Sequence, residues 1–142
     1  MPINATNRFK IFIDSYNDAD ITQLRNGQSF RLQFDNEREN IIVPIEVLSE
    51  NILPLEIFYF VITELEYAVN CTLKTGNGNS GRLGSRECPC ASIEGLIASR
   101  FYSAKEGDSV FRRISAVANI LVAAGICERG LGILKLRDEF KN

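Results

Sequence analysis

The chain has 142 residues, of which 45% are hydrophobic and 24% are charged, so we expect one domain with its own core and no second independent domain. It contains no run of about eighteen apolar residues that would cross a membrane. Its N-terminus has neither the basic start nor the apolar stretch of a signal peptide. We therefore expect a cytoplasmic protein without a membrane partner, and its four cysteines are predicted to be reduced.

The net charge of −2 is divided unevenly along the chain. Residues 1–73 carry 5 Lys and Arg against 11 Asp and Glu, whereas residues 74–142 carry 11 against 7. A basic half of this kind favours an anionic partner such as DNA. The chain has no histidine, which removes Ser-His and Cys-His nucleophiles and most general-base mechanisms. The sequence therefore argues against an enzyme, and it indicates no cofactor.

The first part of the chain, residues 1–53, is predicted to be β-rich. Short apolar or alternating runs at 9–13, 30–34 and 41–47 predict three strands, and the turn-forming residues 35–40 predict a hairpin between the last two. Pro54 then precedes a segment, 55–69, whose apolar residues have helical spacing. The β-rich part is thus followed by a buried helix.

Residues 74–86 are rich in glycine, asparagine and serine and are predicted to form a flexible loop. Three interpretations stay open for this loop. It is a nucleotide site, although it lacks the Gly-Lys-Ser/Thr ending of a P-loop. It is a mobile segment whose Arg82 and Arg86 touch a nucleic-acid backbone. Or it is an exposed linker.

The remainder of the chain predicts two helices and a hairpin. Ser92 is a good N-cap for a helix that runs to Tyr102, and Asp108 is a good N-cap for a helix over 109–124 that ends at Gly125. Strands are expected at 126–128 and 133–137 across a glycine-containing turn. We therefore predict a single α+β domain in which residues 54–142 hold three helices and a C-terminal β-hairpin, with a winged-helix-like order.

The predicted helix over 109–124 has two unlike faces. Apolar side chains occupy one stripe, at Val110, Ile114, Val117, Ala118 and Leu121. The opposite face carries small and hydrogen-bonding side chains, Arg112, Ser115, Ala116 and Asn119, with Arg113 at its rim. Arginine suits guanine edges and phosphates, and asparagine suits adenine. We expect DNA contacts from this face, from the hairpin and from the glycine-rich loop, at Arg112, Arg113, Ser115, Asn119, Arg129, Lys135, Arg137, Arg82 and Arg86.

The stretch from Arg112 to Arg129 resembles a known recognition helix and the strand after it. The pattern Arg112-Arg113-Ile114, then Asn119-Ile120-Leu121, then Gly125-Ile126 and Glu128-Arg129 is similar to that of the winged-helix cell-cycle transcription factors that bind the E2 promoter. In that family the two arginines contact DNA bases. The resemblance implies the same role for Arg112 and Arg113, while Ser115-Ala116 stand where the family has Tyr-Asp.

The cysteines and carboxylates allow other chemistry. Cys88 and Cys90, with Cys71 and Cys127, are four thiols that zinc could use, although structural zinc sites pair their cysteines differently. Redox activity and plain buried thiols are the other interpretations. Asp35 and Glu46 have a separation that a metal-dependent nuclease can use.

Two functions from different classes follow. The first is a small DNA-binding protein, with a regulator as its role, in which the acidic half packs on the winged helix or forms a homodimer. The second is a protein-protein interaction module without nucleic acid. A metal-dependent nuclease is the third and least favoured.

Overall fold

The computed structural model describes residues 4–16, 22–23, 29–35, 37–44 and 51–141. Within these residues the chain forms the predicted α+β fold, with four α-helices and small antiparallel sheets. One hydrophobic core collects side chains from both halves of the chain. No helix in this part of the chain is both long and apolar enough to cross a bilayer.

The chain begins with a helix where the sequence predicted a strand at 9–13. Helix α1 spans Ala5–Ser15, and the side chain of Asn4 caps it by accepting a hydrogen bond of 2.8 Å from the Asn7 amide. Its buried side chains are Ala5, Phe9 and Ile13, which are four residues apart and therefore share one face. The strand prediction is wrong because it rested on residues 9–13 alone. This window is too short to include the Asn4 cap or to show the four-residue spacing of the buried side chains.

Short strands follow α1. Their bounds are Thr22–Gln23 for β1, Ser29–Phe30 for β2, Gln33–Phe34 for β3, Asn40–Ile42 for β4 and Ile52–Pro54 for β5. β1 and β2 pair with each other, and β3, β4 and β5 form a second antiparallel sheet with β4 in the middle. The predicted hairpin across 35–40 is confirmed as the β3–β4 connection. Residues 45–47 of the third predicted strand lie outside the described residues.

Helix α2 spans Leu55–Tyr67 and starts directly after Pro54, as predicted, although it ends two residues early. Proline suits this place because the first amides of a helix have no partner within it. The buried face of α2 contacts α1, and Phe58 stacks on Phe9 with ring centroids 5.1 Å apart. Asn70 and Cys71 then take positive φ values of 55° and 51°, which turn the chain into the next strand.

The rest of the chain combines two helices with one three-stranded sheet. Strand β6 (Thr72–Lys74) precedes α3 (Ile93–Tyr102) and α4 (Ile114–Ala123), and a hairpin of β7 (Cys127–Gly130) and β8 (Ile133–Leu136) follows. The sheet order is β6-β8-β7, so the last strand of the chain lies in the middle of the sheet. The Ser92 cap, the Gly125 stop and the hairpin are confirmed.

Helix α4 begins six residues after the predicted cap. Asp108 does not cap it, because its carboxylate accepts a hydrogen bond of 2.7 Å from the Lys105 amide and closes a turn after α3. Residues 109–113 are not helical and lead to Ile114. The prediction of a helix from 109 is therefore wrong at its start, and both arginines lie outside the helix.

The glycine-rich loop is packed instead of being the flexible loop that was predicted. Leu83 and Cys88 are buried against Ala98 and Val110 in a second, smaller core. Backbone hydrogen bonds tie the loop to itself and to the segment after α3, as in the bonds of 2.9 Å from the Asn77 amide to the Glu87 carbonyl and 3.0 Å from the Leu83 amide to the Asp108 carbonyl. Apolar packing and backbone hydrogen bonds together fix the loop.

Replacing Phe9 by alanine tests the docking of α1. Because the side chain is fully buried against Phe58, we expect Phe9→Ala to lower the free energy of unfolding by about 3–5 kcal/mol. Ile11→Ala is the matched control on the exposed face of the same helix, and it is expected to cost less than about 0.5 kcal/mol. The two variants are compared by urea unfolding. Similar losses for both would contradict the assigned face of α1.

Candidate functional site: a basic pocket beside the hairpin turn

A buried carboxylate organises the start of α4. Glu94, in the first turn of α3, is fully buried and accepts hydrogen bonds from the Arg113 amide at 3.0 and 3.2 Å and from the Ile114 amide at 3.2 Å. A helix leaves these amides unpaired at its N-terminus. Glu94 therefore caps α4 from a neighbouring helix, which is the role predicted for Asp108.

The electrostatic setting of Glu94 combines opposing effects. Burial raises the pKa of the Glu94 carboxyl above its ordinary value, and it is the largest effect. The two amide donors, followed by the charges of Arg112 and Arg113, act in the opposite direction. The sequence contained a signal for this residue, because Glu94 lies on the same side of α3 as Ile97 and Ala98, which are both buried.

Arg113 is placed inside the protein and not at a solvent-facing rim. Its exposed fraction is 4%, and its guanidinium carbon lies 3.5 Å from the ring centroid of Tyr102 and 4.9 Å from that of Phe111. One guanidinium nitrogen also donates to the Phe111 carbonyl at 3.3 Å. Stacking of this kind joins the end of α3 to the segment before α4. The arrangement does not present Arg113 to DNA.

The face of α4 that was expected to meet DNA is largely covered. Ala116 is buried, and Asn119 is only 6% exposed, with its Oδ1 accepting a hydrogen bond of 2.8 Å from Arg129. The helix contacts β7 on one side and β1 on another. Ile120, on the side of Ala116, is fully buried as well. A helix that is apolar on nearly all sides is enclosed, and this explains why the two-faced prediction was wrong.

Of the other predicted contacts, most are engaged within the protein. Lys135 lies 3.5 Å from the carboxylate of Glu128, and Arg137 donates to Glu139 at 2.7 Å. Arg82 donates to the Gly107 carbonyl at 3.2 Å. Exposed ion pairs of this kind hold their partners weakly, so these side chains remain able to exchange.

Arg112 and Arg86 come together with Lys74, which the sequence analysis had not singled out. The three side chains line a pocket of about 350 Å³ between the end of β6, the glycine-rich loop and the turn of the β7–β8 hairpin. Glu87 and Leu131 also line this pocket, which we call the basic pocket. The end of β6, the glycine-rich loop and the segment before α4 thus supply one cluster of positive charge.

The position of Arg112 distinguishes it from the other cations. It is half-buried, and its Nε atom is buried without a hydrogen-bond partner among the described residues. A buried donor left unpaired costs free energy, commonly about 1–3 kcal/mol. Arg112 lines the basic pocket beside two other cations, Lys74 and Arg86, so the lining suits an anion.

Gly76 gives the wall of the basic pocket its shape. It has a positive φ of 76°, and a Cβ at this position would collide with the side chain of Ser92, the residue that caps α3. Glycine therefore lets the loop pass directly over the start of α3. Lys74 and Arg86, which come before and after Gly76 in the sequence, line the same pocket as Arg112.

The structure does not bring together the side chains that the zinc-site hypothesis requires. All four cysteines are free thiols, and the described part of the chain contains no group of three or more Cys, Asp or Glu placed to hold a metal ion. The considered site of Cys71, Cys88, Cys90 and Cys127 is therefore not formed. Burial raises the pKa of Cys88, and that of Cys127 to about 12, so both are poor nucleophiles.

The nuclease alternative had combined two carboxylates. Asp35 accepts hydrogen bonds from Asn40 and from the Glu39 amide, which closes the β3–β4 turn. Glu46 lies outside the described residues. Comparisons with protein-family models, with curated proteins and with solved structures give no match.

The raised pKa of Glu94 predicts a dependence of stability on pH. A carboxyl whose pKa is higher in the folded than in the unfolded protein contributes stability that is fully present below the unfolded value and is lost as pH rises through the folded value. We therefore expect the free energy of unfolding to fall as pH rises above the ordinary value of 4.5. In Glu94→Gln this component should be absent.

The measurement is urea unfolding of the wild type and the variant across this pH range. The wild-type value minus the Glu94→Gln value should decrease as pH rises. Glu106→Gln, at an exposed carboxyl, is the control and should follow the wild type. A constant difference between wild type and Glu94→Gln would show that Glu94 does not titrate in this way.

Proposed function

We propose that this protein binds DNA, and that it does so through the basic pocket and the hairpin turn beside it instead of through the face of α4. The observation that carries the proposal is the convergence of Lys74, Arg86 and Arg112 around one space. Contacts of cationic side chains with phosphates supply most of the affinity of sequence-independent nucleic-acid binding.

The charge distribution supports the same conclusion. The second half of the chain carries 11 Lys and Arg against 7 Asp and Glu, and the carboxylates of Glu128, Asp138 and Glu139 are already paired with lysine or arginine along the hairpin and after it. The basic pocket has only one carboxylate in its lining, Glu87. It is therefore a place where positive charge exceeds negative charge.

The expected mode of DNA binding follows from the polar side chains that are buried at α4. Asn119 and Arg113, two of the side chains expected to distinguish base edges in the major groove, are buried and not available. Contacts from Lys74, Arg86 and Arg112 fix a position on the backbone but carry no sequence information. We therefore propose binding with little sequence preference and a strong dependence on salt.

The test is a mobility-shift titration of duplex DNA with a triple variant, Lys74→Ala, Arg86→Ala and Arg112→Ala. We expect the affinity to fall roughly tenfold or more, because three phosphate contacts are removed. The slope of log affinity against log salt concentration should become shallower by roughly two to three.

A matched control removes the same charge elsewhere. Arg100→Ala, Lys105→Ala and Lys141→Ala together lower the net charge by the same amount, and none of these residues lines the basic pocket. This control should retain most of the affinity. If both triple variants lose affinity equally, binding depends on net charge alone and the basic pocket is not the interface.

A second candidate, the interaction module, has one specific observation in its favour. Tyr67 and Val69, at the end of α2, are 86% and 84% exposed, although both are large and apolar. Neighbouring apolar side chains on a surface are a common mark of a protein contact. In this case the triple variant of the basic pocket would leave partner binding unchanged.

A further inference from the structure

The ionisable side chains of the basic pocket have a definite balance of charge. Three cations, Lys74, Arg86 and Arg112, face one anion, Glu87, so the lining carries a net charge of two positive units at neutral pH. Glu94 does not belong to this lining, because it is fully buried and its oxygens accept hydrogen bonds from the amides of Arg113 and Ile114. The open space of the pocket is therefore strongly cationic.

We propose that the basic pocket binds a phosphate monoester, in the form of the terminal phosphate of a nucleic-acid strand. A monoester carries about 1.5 to 2 negative charges at pH 7, which matches the lining, whereas each internal phosphodiester carries only about one. Arg112, which lines the pocket, supplies a guanidinium that can form charge-assisted hydrogen bonds to its oxygens. This inference rests on the proposed function, because it places the terminal phosphate of the proposed nucleic-acid ligand in the same basic pocket.

The size and the rim of the basic pocket favour a nucleotide over a free phosphate. Its volume of about 350 Å³ is in the range of sites that hold small organic ligands. Leu131, at the turn between β7 and β8, lines the pocket and is 93% exposed. An apolar side chain beside a cluster of cations suits the sugar and base that follow a terminal phosphate.

Two other anionic partners, a membrane surface and a phosphorylated peptide, fit the basic pocket less well. A membrane surface would need more exposed apolar area than the single side chain of Leu131 adds next to the cations. A phosphorylated peptide shares the monoester, but it offers no base for the apolar rim. We therefore place the phosphorylated peptide among the outcomes of the test.

The experiment measures fluorescence anisotropy with labelled oligonucleotides of one sequence that end in a 5′-phosphate, a 3′-phosphate or hydroxyl groups only. We expect the wild type to bind at least one phosphorylated form about tenfold more tightly than the hydroxyl form, the effect of one charge-assisted hydrogen bond. Arg112→Gln should remove this preference, and it should also weaken binding of the hydroxyl form, because Arg112 is one of the proposed backbone contacts. Arg100→Gln, at an exposed arginine of α3, should keep it.

Each outcome separates this inference from the proposed function. Equal affinity for all three oligonucleotides overturns the terminal-phosphate site and leaves DNA binding intact. No affinity for any oligonucleotide overturns both, and binding of a phosphoserine peptide that depends on Arg112 would then assign the basic pocket to a protein partner. If Arg112→Gln does not fold, as judged by circular dichroism, Lys74→Gln with Arg86→Gln at two exposed positions replaces it and should also abolish the preference.

Discussion

The bond between the Glu94 carboxylate and the amides of Arg113 and Ile114 links the parts of this protein that matter most for its candidate site. A buried carboxylate is costly unless donors surround it, and here the donors are the free end of another helix. Fixing that end also fixes the residues just before it. Arg113 is thereby directed onto the ring of Tyr102, and Arg112, one residue earlier, is left at the basic pocket.

The glycine-rich loop completes the same arrangement from the opposite side. It is held by Leu83 and Cys88 in the smaller core, and it crosses the start of α3 at Gly76. The wall of the basic pocket is therefore anchored by packing, although its composition is that of a linker. Anchored backbone around cationic side chains lowers the ordering cost of binding an anion. The proposed function depends on this packing more than on any single charge.

Local signals in the sequence predicted most of the second half of the fold. Pro54, Ser92 and Gly125 act through the backbone of their own or adjacent residues, so their consequences can be derived from the sequence alone. The missed features depend on residues that are distant in the chain. Glu94 replaces Asp108 as a cap from nineteen residues before Arg113, and the enclosure of α4 depends on β1, which belongs to the other half. The DNA contacts proposed for Arg86 and Arg112 remain predictions, and Lys74 joined them only when the fold placed it nearby.

The strand order of the β6-β8-β7 sheet determines when this sheet can form during protein synthesis. β6 and β7 do not pair with each other, and both pair only with β8, which is made last. Until residues 133–136 have left the ribosome, β6 has no neighbouring strand in this sheet and the hairpin turn at the edge of the basic pocket does not exist. Pairing across about sixty residues also slows the closure of the sheet. The basic pocket therefore becomes complete only after β8 has been translated.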